Sequence, residues 1–292
     1  MPPSFATEAT AIYPPACTRT EPVSTKGRGA GDPVLVFDIE TVPDLAGGRR
    51  IHGWEGLDDA AAAQAMAALR LAEKGTEFQP LHLHRVVAIA CCMRQGADLR
   101  VWSLGDPHTP EEQLVQRFFD GIEKYRPTLV SWNGSGFDLP VLHYRALLHG
   151  VTAPRYWDTG HFDREAKWDN YLGRYQFRHT DLMDVLALYQ PRAFAPLHEV
   201  SVLLGFPGKL GMDGSKVAAA FSDGRIEEIR AYCETDVLNT YLVFLRFQRM
   251  RGLLRAEEYV EEVELAREFL RCAVAPHWAE YLAAWQAASG AI

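Results

Sequence analysis

No stretch of this sequence stays apolar long enough to cross a bilayer. The most continuous run, Val86 to Met93, is roughly a third of the ~20 residues a span requires, so no membrane segment is predicted. No secretory leader is predicted either, because MPPSFATEATAIYPPACTRTEPVSTKGRGAGDP has neither a cationic start nor an apolar stretch after it. Cysteine is scarce. Cys17, Cys91, Cys92, Cys233 and Cys272 are odd in number, form no C-x-x-C pair and lie mostly in apolar stretches, which predicts reduced, packing cysteines of a cytoplasmic protein. Positive charge is also short: 30 Lys and Arg against 38 Asp and Glu give a net charge of -8. That excludes a protein gripping duplex phosphates over its whole surface. It leaves open a site where local carboxylates hold cations and the cations meet the phosphate.

What is present is an ordinary globular composition, 48% hydrophobic and 23% charged over 292 residues, enough for one large domain or two small ones. Residues 1 to about 32 are rich in Pro, Thr, Ser, Gly and Ala without apolar periodicity and read as a disordered lead-in. PVLVFDIE, from Pro33, predicts a buried central strand. Leu45 to His84 is a long excursion with an alanine-rich helical middle, an insertion or lid candidate. RVVAIACCM and ADLRVWSL, split by Arg94-Gln95-Gly96, predict a hairpin. PEEQLVQRFFDGIEKY predicts a helix with acids in its first turn, TLVSWN a strand, and Asp138 to Leu148 a helix. This alternation predicts an α/β fold. Beyond a polar, aromatic-rich stretch at 155 to 180 come a helix across HEVSVLLG, the glycine-rich PGKLGMDGSK, a helix from Arg225 to Arg251 with charged and apolar faces, and a further helical segment from Ala256.

Three elements carry candidate chemistry. Alternate side chains of a strand share a face, so Asp38 and Glu40 point the same way at the end of the first strand. Two acids in a partly desolvated place raise one another's pKa, and a divalent cation removes the conflict; acids solvated in a crevice are the plain alternative. Asp138 follows Trp132-Asn133-Gly134-Ser135-Gly136-Phe137 where a helix starts, a position that also suits an N-cap. Tyr232 and Asp236, four residues apart on the long helix, share a helical face, as solvated pairs of this kind often do.

Taken in order, D-x-E ending the first strand, N-x-x-x-F-D after a later strand and Y-x-x-x-D on a C-terminal helix resemble the DEDD superfamily of ribonuclease-H-like exonucleases. The closest branch is the one related to the proofreading domain of B-family DNA polymerases. HTDLMDVL, PGKLGMDGSKV and IRAYCETDVLNTYLVFLR further resemble a bacterial family of predicted polymerase-B-like 3′-to-5′ exonucleases, and the likeness runs from about Val34 to Leu245. The resemblance implies a ribonuclease-H-like mixed central sheet flanked by helices. It divides the chain into a tail (1–32), an exonuclease domain (33–250, with the insertion 45–84) and a C-terminal helical extension (251–292). It implies two divalent ions, Mg²⁺ or Mn²⁺, with Asp38 shared between them, Glu40 and Asp236 completing one site and Asp138 serving the other. Tyr232 marks the tyrosine subclass, since the histidine of the other subclass would fall at Ala231. A phenol is a poor base at neutral pH, so Tyr232 is expected to orient the attacking water. The implied partner is single-stranded or 3′-end nucleic acid, DNA ahead of RNA; an exoribonuclease and a catalytically idle nucleic-acid-binding scaffold are the alternatives.

Weaker signals complete the set. Tyr156, Trp157, Phe162, Trp168, Tyr171, Tyr175 and Phe177 interleave with Arg164, Lys167, Arg174 and Arg178, the make-up of a single-strand groove or of a small core beneath a loop. Asn133, Phe137, Trp168, Arg174 and Lys209 are the candidate substrate contacts. The loop around Lys209 fails as a P-loop because Leu210 stands where Ser or Thr is required; Asp213 or Ser215 capping the next helix is its simpler account. His82 and His84, one residue apart before a strand, give a weak metal signal and read more simply as surface histidines; Asp181 and Asp184 read as structural acids, with support of the site from behind as the alternative.

Overall fold

A computed structural model describes residues 17–18 and 32–289. The strands are β1 (Cys17–Thr18), β2 (Val34–Pro43), β3 (His84–Gln95), β4 (Asp98–Ser103), β5 (Thr128–Ser131) and β6 (His179–Asp181). The helices are α1 (Leu45–His52), α2 (Asp59–Lys74), α3 (Glu111–Tyr125), α4 (Asp138–His149), α5 (Leu182–Leu186), α6 (Leu197–Leu203), α7 (Val217–Ser222), α8 (Ile226–Met250), α9 (Ala256–Cys272) and α10 (Pro276–Ser289). One mixed sheet runs in the order β1-β4-β3-β2-β5-β6. β3 pairs antiparallel with β2 and β4, whereas β5 pairs parallel with β2 and β6. Most of the lead-in expected at 1–32 lies outside the described residues; Cys17 and Thr18 form the short edge strand beside Leu99 and Asp98.

The period-two pattern of β2 divides the core. Leu35, Phe37 and Ile39 face α3 and α4, while Val36 faces the side that α8, α9 and α10 cover. Asp38 and Glu40 continue the Val36 face, so the strand that begins as core ends by presenting carboxylates to α8. The β2–β3 register slips between Glu40 and Thr41, a bulge of the kind that re-aims side chains next to sites.

α8 departs from the expected two-faced helix. Its middle is enclosed: Tyr232, Cys233 and every residue from Thr235 to Leu245, Asp236 among them, are buried. The reason is tertiary: the sheet lies against one side, and α6, α9 and α10 close the rest. A helix enclosed in this way is hidden all round. The helical stretch beyond Met250 accordingly packs into the same core as the sheet, through Leu265, Phe269, Trp278, Tyr281 and Trp285.

The excursion after β2 folds as α1 and α2, which pack on one another and bury Gly48, Ala62 and Met66. It is anchored through Asp44, whose carboxylate caps α1 at Gly47 and meets Arg145 Nη1 of α4 at 2.5 Å. Arg145 also grips Glu111, at the start of α3, at 2.7 and 2.5 Å, and Glu111 accepts the Val86 amide of β3 at 2.6 Å. Arg145 is only 4% exposed. Burial opposes ionisation of Asp44, but the Gly47 amide and the Arg145 guanidinium outweigh it and hold its pKa low. His84, expected at the surface, is buried at the start of β3: its ring bridges Thr41 Oγ1 at 2.8 Å and the Gln79 carbonyl at 3.0 Å, and burial lowers its pKa. A histidine satisfied on both nitrogens packs as a neutral core group.

Candidate active site

The four acids converge where β2 ends. Asp138 is the first residue of α4 and not its cap, which is Phe137. Instead of closing its own helix, its Oδ1 accepts the Ile39 amide at 3.0 Å, and Ile39 is the residue between Asp38 and Glu40. A bond 99 residues long in sequence thus seats the third acid beside the first two. α8 brings Tyr232, Cys233 and Asp236 against the same strand, with Cys233 Sγ 3.4 Å from both Asp38 Oδ2 and the Asp38 carbonyl. From sequence, Cys233 belongs only among the packing cysteines. The signal that could have found it is its spacing of three from Asp236, which puts both on one helical face.

All four carboxyls have raised pKa values. For Asp38 burial comes first, then the charges of Asp138 and Asp236; for Glu40 burial is followed by Asp38 and Asp236. Burial pushes Asp138 up to about 7 against the Ile39 amide, and raises Asp236 although Lys209 opposes it. Lys209 is the cation inside this cluster: Nζ lies 3.2 Å from Asp236 Oδ2 and donates to the Tyr232 hydroxyl. Burial disfavours its charge, yet Asp236, Asp38 and Glu40 more than compensate and raise its pKa. Burial, followed by the charges of Asp236, Glu40 and Asp38, pushes the Tyr232 phenol up, so it stays protonated at neutral pH.

These residues fit divalent cations. Among the described residues one ammonium faces four buried or half-buried carboxyls, and Asp236 Oδ1 is buried without a hydrogen-bond partner. Such an orphaned oxygen normally costs about 1–3 kcal/mol, more when charged, unless something meets it. Ligand atoms of Asp38, Glu40 and Cys233 lie within 4.8 Å of one another, close enough to share an ion.

The cluster has a pH signature. Because Asp138 titrates near 7 in the fold against 3.8 normally, the folded chain binds the extra proton between those values, and stability contributed by this group falls as pH rises through that window. In EDTA, wild type should therefore lose stability relative to Asp138→Asn from about pH 4 to pH 7, with a slope approaching about 1.4 kcal/mol per pH unit, and level off above. Urea midpoints at a series of pH values measure it; parallel profiles for the two proteins would contradict the assigned burial.

The Lys209 loop is held from behind. The Gly208 carbonyl accepts from Asn239 Nδ2 at 2.9 Å, Asn239 Oδ1 accepts from the Tyr281 hydroxyl of α10 at 2.7 Å, and the Lys209 amide donates to His198 Nδ1 of α6 at 3.0 Å. Gly208 has φ +69°, and a Cβ there would lie 2.5 Å from His198 Nδ1, so glycine is required. Asp213 caps the following turn through the Ser215 amide.

The other candidate contacts are dispersed. Asn133 adopts φ +65°, and its amide and that of Ser135 donate to the two Asp181 oxygens at 2.9 and 2.8 Å. Asp181 therefore holds the loop that leads to Asp138, in keeping with a structural acid. A Cβ at Gly136 would meet Asn133 Oδ1 and displace that side chain. Phe137 is half-buried against His84 and Phe78. Arg174 is paired with Asp184 at 3.1 Å, and with Asn133, Tyr171 and Tyr189 it lines a cavity of about 430 Å³. The aromatic stretch divides in two: Tyr156 and Tyr171 stack within the core, whereas Trp157, Phe162, Trp168, Tyr175 and Phe177 are exposed, Trp168 at 75%.

Fold and site together define a class: a mixed sheet flanked by helices, with carboxylates from its central strand β2, from α4 and from α8 gathered at one place. Residues 76–285 match the family described as predicted 3′-5′ exonuclease related to the exonuclease domain of PolB, and the chain belongs to that family. The matched span contains Asp138, Lys209, Tyr232 and Asp236 and begins after Asp38 and Glu40, which are tied to the site by the contacts above. The catalytic polypeptide of DNA polymerase epsilon from Saccharomyces cerevisiae is 25% identical over 142 residues, and that from Kluyveromyces lactis 24% over 144; each alignment covers 47% of this chain and 6% of the polymerase. The chain thus spans a small fraction of these relatives. The family B DNA polymerase of the archaeon Pyrobaculum calidifontis aligns over 90% of this chain and 30% of its own, at 18% identity and a TM-score of 0.49.

Proposed function

We propose that the protein removes nucleotides from the 3′ end of a single strand, DNA in preference to RNA, with two divalent cations, Mg²⁺ or Mn²⁺. The observation carrying this reading is the set of four raised carboxyls gathered at the end of β2, with Asp236 Oδ1 lacking a partner. Asp38, Glu40 and Asp236 would hold one ion, and Asp138 with Asp38 the other. Such ions, when bound, lower the pKa of water and balance charge on the attacking and leaving oxygens of an in-line phosphoryl transfer.

The chain's own groups do the rest. Tyr232, kept protonated, donates a hydrogen bond that orients the water and cannot act as base. Lys209 Nζ, beside Asp236, is positioned to touch a phosphate oxygen. Asn133 and Phe137 precede Asp138 in the loop that leads to it and are proposed to seat the terminal nucleotide. Trp168 offers an exposed face for base stacking, and Arg174 a cation at the cavity rim. Among the described residues no helix is long and apolar enough to cross a membrane. The buried free thiols of Cys91, Cys92 and Cys233 suit the reducing cytoplasm, where we place the enzyme.

Matched DNA and RNA oligonucleotides labelled at the 5′ end, incubated with Mg²⁺, Mn²⁺ or EDTA, test this. A metal-dependent ladder shortening from the 3′ end, faster on DNA, is expected. Binding without cleavage of either strand would reject the enzyme in favour of an idle scaffold. Tyr232→Phe should leave Mn²⁺ binding intact and slow hydrolysis about 10-fold, the worth of one hydrogen bond to the reacting water. Single-turnover rates and Mn²⁺ titration separate the two effects; an unchanged rate would remove Tyr232 from the mechanism.

A further inference from the structure

A thiol among hard carboxylates changes which ions a site can take. Cys233 is fully buried, and its sulfur is 3.4 Å from Asp38 Oδ2. A thiolate at about 2.3 Å and a carboxylate oxygen at about 2.0 Å from one tetrahedral ion stand about 3.5 Å apart, so the pair already has the separation of two ligands on one metal. Glu40 completes a group of three ligand atoms within 4.8 Å. Asp236 stands beside this group: it is 5% exposed and one helical turn from Cys233, its Oδ1 is buried with no partner, and its charge acts on both Asp38 and Glu40.

We propose that Asp38, Glu40, Cys233 and Asp236 form a mixed oxygen–sulfur site that accepts one thiophilic divalent ion, of the class of Zn²⁺, Cd²⁺ or Co²⁺, in competition with the hard cation of hydrolysis. The inference rests on the acid cluster being the cation site proposed above. Thiolate sulfur selects the softer ions, whereas Mg²⁺ and Mn²⁺ use the carboxylates alone. Coordination forms a sulfur–metal bond and sends the thiol proton to solvent. Hard and soft ions share three ligands and exclude one another, so the thiophilic ion acts as an inhibitor of Mg²⁺-supported turnover.

The test is a Co²⁺ titration of the EDTA-stripped full chain, read by the near-ultraviolet thiolate-to-metal charge-transfer band. The band should grow to one Co²⁺ per chain, vanish in Cys233→Ser and Asp38→Asn, and persist in Cys272→Ser, which changes an exposed cysteine. Cys233→Ser should weaken Co²⁺ binding by at least the about 10–100-fold that loss of an outer partner alone costs, while Mn²⁺ binding, followed by electron paramagnetic resonance, stays close to wild type. A wild-type chain that binds Mn²⁺ but gives no band overturns the proposal, as does a band that survives Cys233→Ser. A chain binding neither ion overturns the cation site as well. Hydrolysis is measured separately, so a band without nuclease activity upholds this site and rejects the exonuclease reading.

Discussion

Asp38→Ala should reduce hydrolysis by at least about 10³-fold, because it removes the one acid that both proposed ions share. The same substitution should not harm the fold. In the metal-free chain the ionised form of the half-buried Asp38 is disfavoured first by desolvation and then by the charges of Asp138 and Asp236, so its removal relieves that cost and the melting temperature in EDTA should stay level or rise. Added Mn²⁺, which stabilises wild type by binding only the folded state, should lose most of that effect in the variant. Melting curves with and without Mn²⁺, beside the oligonucleotide assay, check both halves. Full activity in Asp38→Ala would end the two-ion reading; a collapse of the fold would show that Asp38 carries structure and not only ligand chemistry.

Arg145→Met should cost about 3–5 kcal/mol, the usual loss when one member of a buried ion network is removed and its partners are left charged. Asp44 and Glu111 would then face one another across an apolar side chain, and α1, α3, α4 and β3 would lose their common tie. Adding Glu111→Gln to Arg145→Met should recover part of the loss, since an amide tolerates burial better than a carboxylate that has lost its guanidinium. Urea unfolding of the single and double variants measures it. A single-variant cost under about 1 kcal/mol would mean that solvent reaches these acids, contrary to the burial described.

These two experiments address parts of the molecule that were unequally legible. Asp38 and Glu40 could be read because strand alternation is local: two positions apart means one face. Tyr232 and Asp236 were legible for the corresponding reason on a helix. The Arg145 network was not, because its partners stand 34 and 101 residues away and nothing near Arg145 distinguishes it from a surface arginine. Cys233 escaped for the same cause, lying 195 residues from Asp38. The all-round burial of α8 was hidden because polar residues such as Thr235, Asn239 and Thr240 imitate a solvent face until α6, α9 and α10 are seen to cover them. His84 misled in the same way, a polar residue whose two partners are Thr41, on the strand before the excursion, and Gln79, near the excursion's end. The aromatic stretch could be read only as a mixture, since composition cannot tell Tyr156 from Trp157, one enclosed and one exposed.

The link from Tyr281 through Asn239 to Gly208 has a consequence for how such a chain can change over generations. The backbone that carries Lys209 is fastened to the last helix, so the two cannot drift independently: a lineage that rebuilds α10 must refit the lysine loop at the same time, whereas α1 and α2, joined to the rest at Asp44, can vary in length with little effect on the acids. Diversity among descendants should therefore accumulate in the excursion and be withheld from the final turns of the protein.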